Sequence, residues 1–323
     1  NDGYESDESC LFRVKHKVVR VVDKIKQSNV IDGIYCVGKK ASELSDGVSI
    51  TGIEKYTNDE YLTALITSAL LRLYPSGVDG DVYIAVTHPF DYSSDTREYI
   101  TDTVGRKYEV ELRDGTKRVY NVTEVHCFNE TEGAIAFLSG GFRTLFDSSI
   151  DTVTIFDWGH RTLQKILITV MKNNVEVSFD TARTYDIGGQ YYLDILARHL
   201  ATNHKAELRI NSDRVAHDKK LFNAMLNGEY HVEGNYKIDV GHVVDQIKIQ
   251  ASRDFMSKVG GTNSESIVWV GGSSLFFAEP TTELSLKRGF TWGENSVLGA
   301  TPELIRFVNL LGIRAMMLDN NNG

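Results

Sequence analysis

Strand-like and helix-like patterns alternate along both halves of this chain, and this alternation constrains its fold more than any other feature. In the first half, apolar residues at helical spacing over 59–74 precede an apolar run at 81–86 that has the length of a buried strand. In the second half, strand-like runs at 152–156 and 266–270 flank a long amphipathic segment at 243–259. Because strands that alternate with helices are typical of α/β domains, we predict an α/β fold with a sheet in each half.

Turn residues and apolar periodicity predict the remaining elements. A D-G pair at 114–115 separates two alternating segments, so that 108–112 and 118–122 are predicted to form a β-hairpin. The same patterns predict helices at 94–103, 130–138, 191–200 and around 304–311, and strands at 124–128, 163–170 and 175–179.

Length, charge and cysteine content narrow the class of protein. The 323 residues suffice for two domains of about 100–200 residues each. The formal net charge of −9 predicts little direct nucleic-acid binding, because an acidic surface repels phosphates. The three cysteines form neither a C-x-x-C pair nor a disulfide framework, which indicates a reducing cytoplasm. No apolar run approaches the roughly 20 residues that span a bilayer, and we expect neither a signal peptide nor a membrane partner.

The motif D-W-G-H-R-T at 157–162 carries the clearest chemistry. It follows the strand-like run at 152–156 and contains Gly159, beside which backbone N–H groups can approach an anion. Asp157 is a candidate ligand for Mg²⁺, which keeps much of its water shell when a carboxylate holds it. Thr162 is a candidate hydrogen-bond donor to a phosphate. An ordinary β-hairpin turn is the alternative interpretation, because the D-x-G-x-x-T pattern is short.

Two glycine-rich loops suit a nucleotide as well. The run at 266–270 ends in G-G-S at 271–273, and a G-G pair at 188–189 precedes the predicted helix at 191–200. Glycines before a helix let backbone N–H groups approach a phosphate closely. Plain strand-to-helix connections would explain both loops equally well.

Two acidic residues follow the strand predicted at 124–128. Glu130 or Glu132 can orient a water molecule for attack on a terminal phosphate. The alternative is a structural role, because Asn129 is a good helix cap and acids in the first turn of a helix stabilise its dipole.

The order of these motifs resembles that of the actin, heat-shock-chaperone and sugar-kinase superfamily. This chain and that superfamily share one order of motifs: a Glu loop, a D-x-G-x-x-T loop, a Gly-Gly pair and a Gly-Gly-Ser loop. Within this superfamily the chain is most similar to plasmid-segregation actins of the ParM type. The finer match lies in four stretches, at 83–122, 125–134, 226–239 and 295–311, and together with the motifs above the resemblance covers most of the chain. The second stretch favours Glu130 over Glu132 as the catalytic acid.

This resemblance implies a two-domain actin-like ATPase fold in which ribonuclease-H-like sheets flank a nucleotide cleft. Domain I would comprise residues 1–150 plus 300–323, and domain II residues 151–299. The resemblance also implies ATP and ADP as ligands, Mg²⁺ held by Asp157, and a catalytic water oriented by Glu130. The nucleotide-binding residues that it implies are Asn1, Asp2, Gly3, Gly159, His160, Arg161, Thr162, Gly188, Gly189, Lys219, Gly271, Gly272 and Ser273.

The chain departs from the family pattern at both phosphate loops. The leading aspartate of the first loop is absent before residues 1–3, and we expect a short segment to precede them. In the second loop the bulky Trp158, His160 and Arg161 stand where relatives often have small residues, and we favour an Arg161 that faces solvent. Leu163 stands where an acidic residue is common.

The implied function is ATP hydrolysis coupled to head-to-tail assembly into filaments, in a bacterial or archaeal cytoplasm. The cargo would be plasmid or phage DNA during segregation, reached through a basic DNA-binding adaptor protein because the chain itself is acidic. A filament of the same kind that serves cell shape is an alternative. The alternatives are a non-polymerising small-molecule kinase or sensor of the same superfamily, and a chaperone-like ATPase. We find no substrate-pocket motif of a kinase, and we expect no peptide-binding domain within the 323 residues.

Overall fold

A computed structural model of the chain describes residues 11–22, 24–37, 57–88, 94–145, 150–171, 174–204, 219–232, 236–260, 264, 266–285, 288–290 and 308–320. Contacts divide the chain into two compact units, of which the first ends at Asn129 and the second begins at Glu130. Each unit has its own five-stranded sheet with accompanying helices. The predicted α/β class, with one sheet in each half of the chain, is confirmed.

The first unit is built on a mostly antiparallel sheet. Its elements are β1 (Leu11–Val22), β2 (Ile25–Cys36), α1 (Asp59–Leu73), β3 (Asp81–His88), α2 (Ser94–Val104), β4 (Arg106–Leu112) and β5 (Lys117–Asn129). The strand order is β2-β1-β4-β5-β3, and only β3 and β5 pair in parallel. The helices and the β4–β5 hairpin lie where the sequence predicts them, whereas the β1–β2 hairpin was not predicted.

Strand β5 is one continuous strand, although the sequence pattern predicts two, at 118–122 and 124–128. Its pairing with β3 shifts in register, so that Val82 pairs with Val122 and Tyr83 pairs with Glu124. The residue between them therefore has no register partner on β3, as in a β-bulge. The bulge interrupts the period-2 alternation, and this interruption explains why the sequence pattern breaks there.

Helix α1 is held at its N-terminus by a local cap and by an ion pair. The side chain of Asn58 accepts hydrogen bonds from two backbone N–H groups of the first turn, at 2.9 and 3.1 Å. Asp59 forms an ion pair with Arg20 of β1, and the hydroxyl of Tyr99 on α2 donates to Asp59 at 2.6 Å. These contacts connect β1, α1 and α2 within the first unit.

The second unit is larger. Its elements are α3 (Glu130–Leu145), β6 (Ile150–Trp158), β7 (Leu163–Met171), β8 (Asn174–Tyr185), α4 (Gly189–Asn203), α5 (Lys219–Asn227), β9 (Glu229–His231), β10 (Lys237–Asp239), α6 (Gly241–Val259), β11 (Ser266–Val270), α7 (Ser274–Ser285), β12 (Arg288–Phe290) and α8 (Val308–Asn320). Strands β6, β7 and β8 form an antiparallel meander, and β11 pairs in parallel with β6 and β12, in the order β8-β7-β6-β11-β12. None of the helices in the described ranges combines the length and the hydrophobicity that a bilayer crossing requires.

Helices cover both faces of this second sheet. On β6, Val153 and Ile155 belong to a buried cluster with residues of α3 and α8, whereas Phe156 and Trp158 belong to a cluster with residues of α4 to α7. Because successive side chains of a strand point to opposite faces, Asp157 shares the face of Val153 and Ile155. The strand period therefore directs this carboxylate toward α3 and α8.

Helices α3 and α8 cross on this face with their backbones in contact. A Cβ atom on Gly133 would lie 2.0 Å from the carbonyl oxygen of Asn309, and one on Gly312 would lie 1.7 Å from the carbonyl oxygen of Gly133. Contacts group both helices with the second unit. The predicted domain I of residues 1–150 plus 300–323 and domain II of residues 151–299 stay a prediction.

Candidate functional site

Asp157 is a buried carboxylate close to the end of β6. It is 8% exposed, and its Oδ2 accepts a hydrogen bond of 2.5 Å from Nδ2 of Asn309 on α8. Burial, followed by the negative charge of Glu130, raises the pKa of Asp157 to about 7, and the hydrogen bond from Asn309 opposes this rise. A carboxylate with a strongly raised pKa is a candidate functional group.

Glu130 and Gln164 lie on the same face as Asp157. Glu130 is the first residue of α3, and its carboxylate accepts a hydrogen bond from Nε2 of Gln164. Gln164 is 1% exposed and pairs directly across from Asp157 in the β6–β7 register. Since the observed contact of Gln164 is with Glu130 rather than Glu132, the structure brings Glu130 into one cluster with Asp157.

Two buried polar atoms next to Glu130 have no hydrogen-bond partner among the described residues. They are Oε1 of Gln164 and Oγ1 of Thr131, which follows Glu130 in the first turn of α3. An unpaired buried polar group costs about 1–3 kcal/mol, so native structures seldom retain one without a reason. These atoms offer hydrogen bonds to an ordered water molecule or to a polar group of a ligand.

No motif in the sequence points to Gln164. The neighbouring Leu163 stands where relatives commonly have an acidic residue, but it is fully buried in the cluster that faces α4 to α7. The alternation of β7 contains the missed signal, because Gln164 occupies the same face as the buried Ile166 and Ile168. A polar residue at the end of an otherwise apolar row marks the site.

The loop at 157–162 lies against the Gly-Gly-Ser loop at 271–273. The backbone N–H of Ser273 donates to the carbonyl oxygen of Trp158 at 2.9 Å. The hydroxyl of Ser273 donates to the carbonyl oxygen of Gly159, also at 2.9 Å. The two loops are therefore in direct hydrogen-bond contact with each other, and their binding of one nucleotide stays a prediction.

Gly271 packs closely against Asp157. It has a φ of +87°, which is unfavourable for residues with a side chain. A Cβ atom at this position would lie 2.3 Å from Oδ1 of Asp157. Glycine is therefore required here for its backbone conformation and because a side chain would collide with the carboxylate.

The Gly188-Gly189 loop also packs on the 157–162 loop. The backbone N–H of Gly189 donates to the carbonyl oxygen of Gly159 at 3.0 Å. A Cβ atom on Gly188 would lie 2.0 Å from the carbonyl carbon of Arg161, and one on Gly189 would lie 2.0 Å from Oγ of Ser273. Packing against the 157–162 and 271–273 loops therefore explains why both positions are glycine. The first backbone N–H group of α4 points at the 157–162 loop.

The tip of the 157–162 loop borders a cavity. The carbonyl oxygen of His160 accepts a hydrogen bond from the backbone N–H of Gln190 at 2.7 Å, and that of Thr162 accepts one from Gly159 at 2.9 Å. The exposed Arg161 lines a cavity of 490 Å³. The other charged residues of its lining are Asp186, Asp194, Asp254 and Lys258. Three carboxylates against two cations do not favour a triphosphate in this cavity.

Other predicted site residues lie beyond the described contacts. Asn1, Asp2 and Gly3 lie outside the described residues, and Lys219 begins α5 with its side chain outside them. Their roles stay predictions.

No three His, Cys, Asp or Glu side chains in the described ranges group together as a metal cage. A cation bound here would therefore depend on single carboxylates and water, which is the coordination that Mg²⁺ commonly accepts.

Solved structures of actin homologues have a similar fold. The archaeal actin homologue Ta0583 aligns with a TM-score of 0.66 at 15% identity, over 96% of this chain and 92% of that chain. A ParM from Clostridium botulinum, solved as a filament, aligns with a TM-score of 0.65 at 15% identity, over 94% and 85%. ParM from Bacillus thuringiensis with AMPPNP gives 0.59 at 16% identity, over 98% and 88%. No protein-family model and no curated protein sequence matches the chain.

At such low identity, these similarities concern the fold alone. They cover most of both chains, and the neighbours are an archaeal actin homologue and ParM proteins. Among them are a complex of Ta0583 with ADP and a structure of Bacillus thuringiensis ParM with ATP. The predicted actin-like fold of the ParM type is confirmed.

Proposed function

We propose that this chain, which has an actin-like fold of the ParM type, binds ATP with Mg²⁺ and hydrolyses it at the site around Asp157. One observation carries the proposal: a buried carboxylate, a glycine turn beside it and the Glu130–Gln164 pair meet in the second unit. The adenine nucleotides in neighbouring structures support the choice of ligand, because these proteins have the same fold.

The residues at this site fit a magnesium ion with phosphates. Asn309 occupies Oδ2 of Asp157, and Oδ1, which packs closely on the Gly271 turn, is the oxygen left for the cation. One carboxylate together with several waters and phosphate oxygens is a usual coordination of Mg²⁺. When bound, the ion neutralises negative charge on the phosphates. The hydroxyl of Thr162 and backbone N–H groups of the 157–162 and 271–273 loops would bind phosphate oxygens, apart from the N–H groups of Gly159 and Ser273, which donate to the carbonyl oxygens of Thr162 and Trp158.

Glu130 and Gln164 would orient the attacking water. A water molecule donates two hydrogen bonds, and this pair offers the carboxylate of Glu130 and the unpaired Oε1 of Gln164 as acceptors. With both hydrogens engaged, a lone pair of the water oxygen is free to face the terminal phosphate. Glu130 need not be a strong base, because phosphoryl transfer depends mainly on positioning and electrostatic stabilisation.

Nucleotide binding would favour the protomer shape that polymerises. A ligand shifts a conformational equilibrium by its differential affinity for the two states, and a head-to-tail contact that does not close produces a filament. The Clostridium botulinum ParM, solved as a filament, supports self-association for this fold. We extend the proposal to segregation of plasmid or phage DNA, with a basic adaptor protein because the chain has a net charge of −9.

Light scattering and negative-stain electron microscopy test filament formation. We expect scattering to rise above a critical protein concentration after addition of ATP and Mg²⁺, with filaments on the grids, and no rise in EDTA. A flat trace accompanied by phosphorylation of a small molecule would instead identify a non-polymerising kinase of the same superfamily.

Single substitutions test the site. We expect Asp157→Ala to abolish Mg²⁺-dependent ATP hydrolysis, because the proposed metal ligand is removed. Glu130→Ala is expected to lower turnover by about 10²–10⁴-fold, the usual effect of losing a group that orients or activates the nucleophile. Glu132→Ala is the matched control, since it removes an acid from the same helical turn. Normal turnover in Glu130→Ala together with lost turnover in Glu132→Ala would reverse the assignment.

A further inference from the structure

Asn309 joins two parts of the second unit through one amide group. Its Oδ1 accepts a hydrogen bond from the backbone N–H of Ala134 on α3 at 2.8 Å, and its Nδ2 donates to Oδ2 of Asp157. The orientation of the amide follows from chemistry, because the N–H of Ala134 can only donate and therefore requires the amide oxygen. The NH₂ group is consequently directed at Asp157, which lies 152 residues away in the sequence.

The backbone that carries Asn309 is itself held firmly. Its carbonyl oxygen would be 2.0 Å from a Cβ atom on Gly133, so α3 and α8 touch at this residue. Val308, the neighbouring residue, is buried in the cluster formed by α3 and the β-sheet. A side chain on such a rigid crossing can hold a ligating group in a defined orientation, as accurate metal sites require.

We infer that Asn309 is a positioning residue for Asp157: it holds Oδ2 and so fixes the orientation of Oδ1, the oxygen that remains to bind the cation. This inference rests on the proposed function and adds a residue that no sequence motif indicated. Asn309 does not touch the cation or the nucleotide in this arrangement, and it acts through the carboxylate. A merely structural role would connect α3 with α8 but would leave the affinity for Mg²⁺ unchanged.

Binding measurements distinguish these two roles. We would titrate Mg²⁺ against a fluorescent ATP analogue with the wild type, Asn309→Ala and Leu310→Ala. Leu310 is the matched control, because it lies on the same helix and is 59% exposed. In Asn309→Ala the half-saturating Mg²⁺ concentration is expected to rise about 10–100-fold, the usual effect of losing a hydrogen-bond partner of a metal ligand. Binding of ADP in EDTA should stay unchanged, and Leu310→Ala should match the wild type in both assays.

A second experiment needs no ligand. Asn309→Asp places two carboxylates against each other and is expected to lower the melting temperature. Adding Asp157→Asn to this variant interchanges donor and acceptor and is expected to restore most of the loss, which a double-mutant cycle measures as coupling.

Three results have distinct meanings. An unchanged Mg²⁺ half-saturation in Asn309→Ala, with Mg²⁺-dependent binding intact in the wild type, would overturn the positioning role. Independent effects of the two substitutions on melting temperature would overturn the contact on which that role depends. A wild type that binds no adenine nucleotide would overturn the proposed function. The double-mutant cycle is measured without ligand, so it would still test the contact between Asn309 and Asp157.

Discussion

Replacing Gly271 by alanine is expected to disturb the site through two separable effects. Gly271 has a φ of +87°, and such a conformation costs a residue with a side chain about 1–2 kcal/mol. The added Cβ would also lie 2.3 Å from Oδ1 of Asp157 and 2.6 Å from the carbonyl oxygen of Trp158. Since real Cβ atoms essentially never come within 3.0 Å of such atoms, the carboxylate has to move.

Movement of Asp157 breaks its hydrogen bond from Asn309, and a hydrogen bond to a charged group contributes about 1.5–3 kcal/mol. Together with the backbone strain, Gly271→Ala is expected to lower the free energy of unfolding by about 3–5 kcal/mol. Gly260 provides the control. It follows α6 with a φ of +68° and a ψ of −161°, a region that essentially only glycine adopts, and nothing lies within 4 Å of the position of its Cβ, so Gly260→Ala should cost the strain alone, about 1–3 kcal/mol.

Thermal unfolding of the ligand-free variants, followed by circular dichroism, is the assay. For a folding unit of about 150–250 residues, 1 kcal/mol shifts Tm by about 2–4 °C. Gly260→Ala is thus expected to lose about 2–12 °C and Gly271→Ala about 6–20 °C. Gly271→Ala should also lose ATP binding, which Gly260→Ala should retain. Equal losses of Tm in the two variants would refute the close approach of Gly271 to Asp157.

Three further predictions concern stability. Nε1 of the buried Trp158 donates to the carbonyl oxygen of Ile187 at 2.7 Å, so Trp158→Phe should cost about 1–3 kcal/mol in chemical denaturation, and an unchanged midpoint would contradict that bond. Because burial raises the pKa of Asp157 to about 7, the folded protein binds this proton more tightly than the unfolded chain, and stability falls as pH rises from about 4 toward 7. Asp157→Asn should remove this fall and be more stable than the ligand-free wild type at mildly alkaline pH; melting curves across the pH range check the sign. Burial raises the pKa of Asp59, but hydrogen bonds led by that from Arg20 lower it below its ordinary value, so its contribution is present at neutral pH and is lost as pH falls below about 4. Asp59→Asn should therefore cost about 1–3 kcal/mol at neutral pH and little in acid, and the same cost at both would argue against the ion pair.

Most elements of the fold could be predicted, because helices, strands and turns leave local patterns. The sequence predicts a helix at 59–74 and a strand at 266–270, and the structure has α1 at Asp59–Leu73 and β11 at Ser266–Val270. The β1–β2 hairpin was missed although its signal is present. On β1 the buried Phe12 and Val14 alternate with charged residues, which is the period of a half-buried strand.

The candidate site could be predicted in part. Asp157, Glu130 and the glycine loops were found because a carboxylate or glycine at the end of an apolar run stands out locally. Gln164 was missed because its importance depends on the strand register that places it across from Asp157. Asn309 was missed because no pattern in the neighbouring sequence indicates its contact with Asp157, which only the tertiary packing creates.

The sequence alone determined the alternation of strands and helices and the chemical groups available for phosphate and metal binding, since both depend on neighbouring residues in the chain. Tertiary structure decided which groups meet. The face of β6 on which Asp157 lies, its register with Gln164 and the crossing of α3 with α8 bring residues 130, 157, 164 and 309 together. Such contacts join distant segments, and they form only when the packing of a whole unit selects one register and one helix orientation.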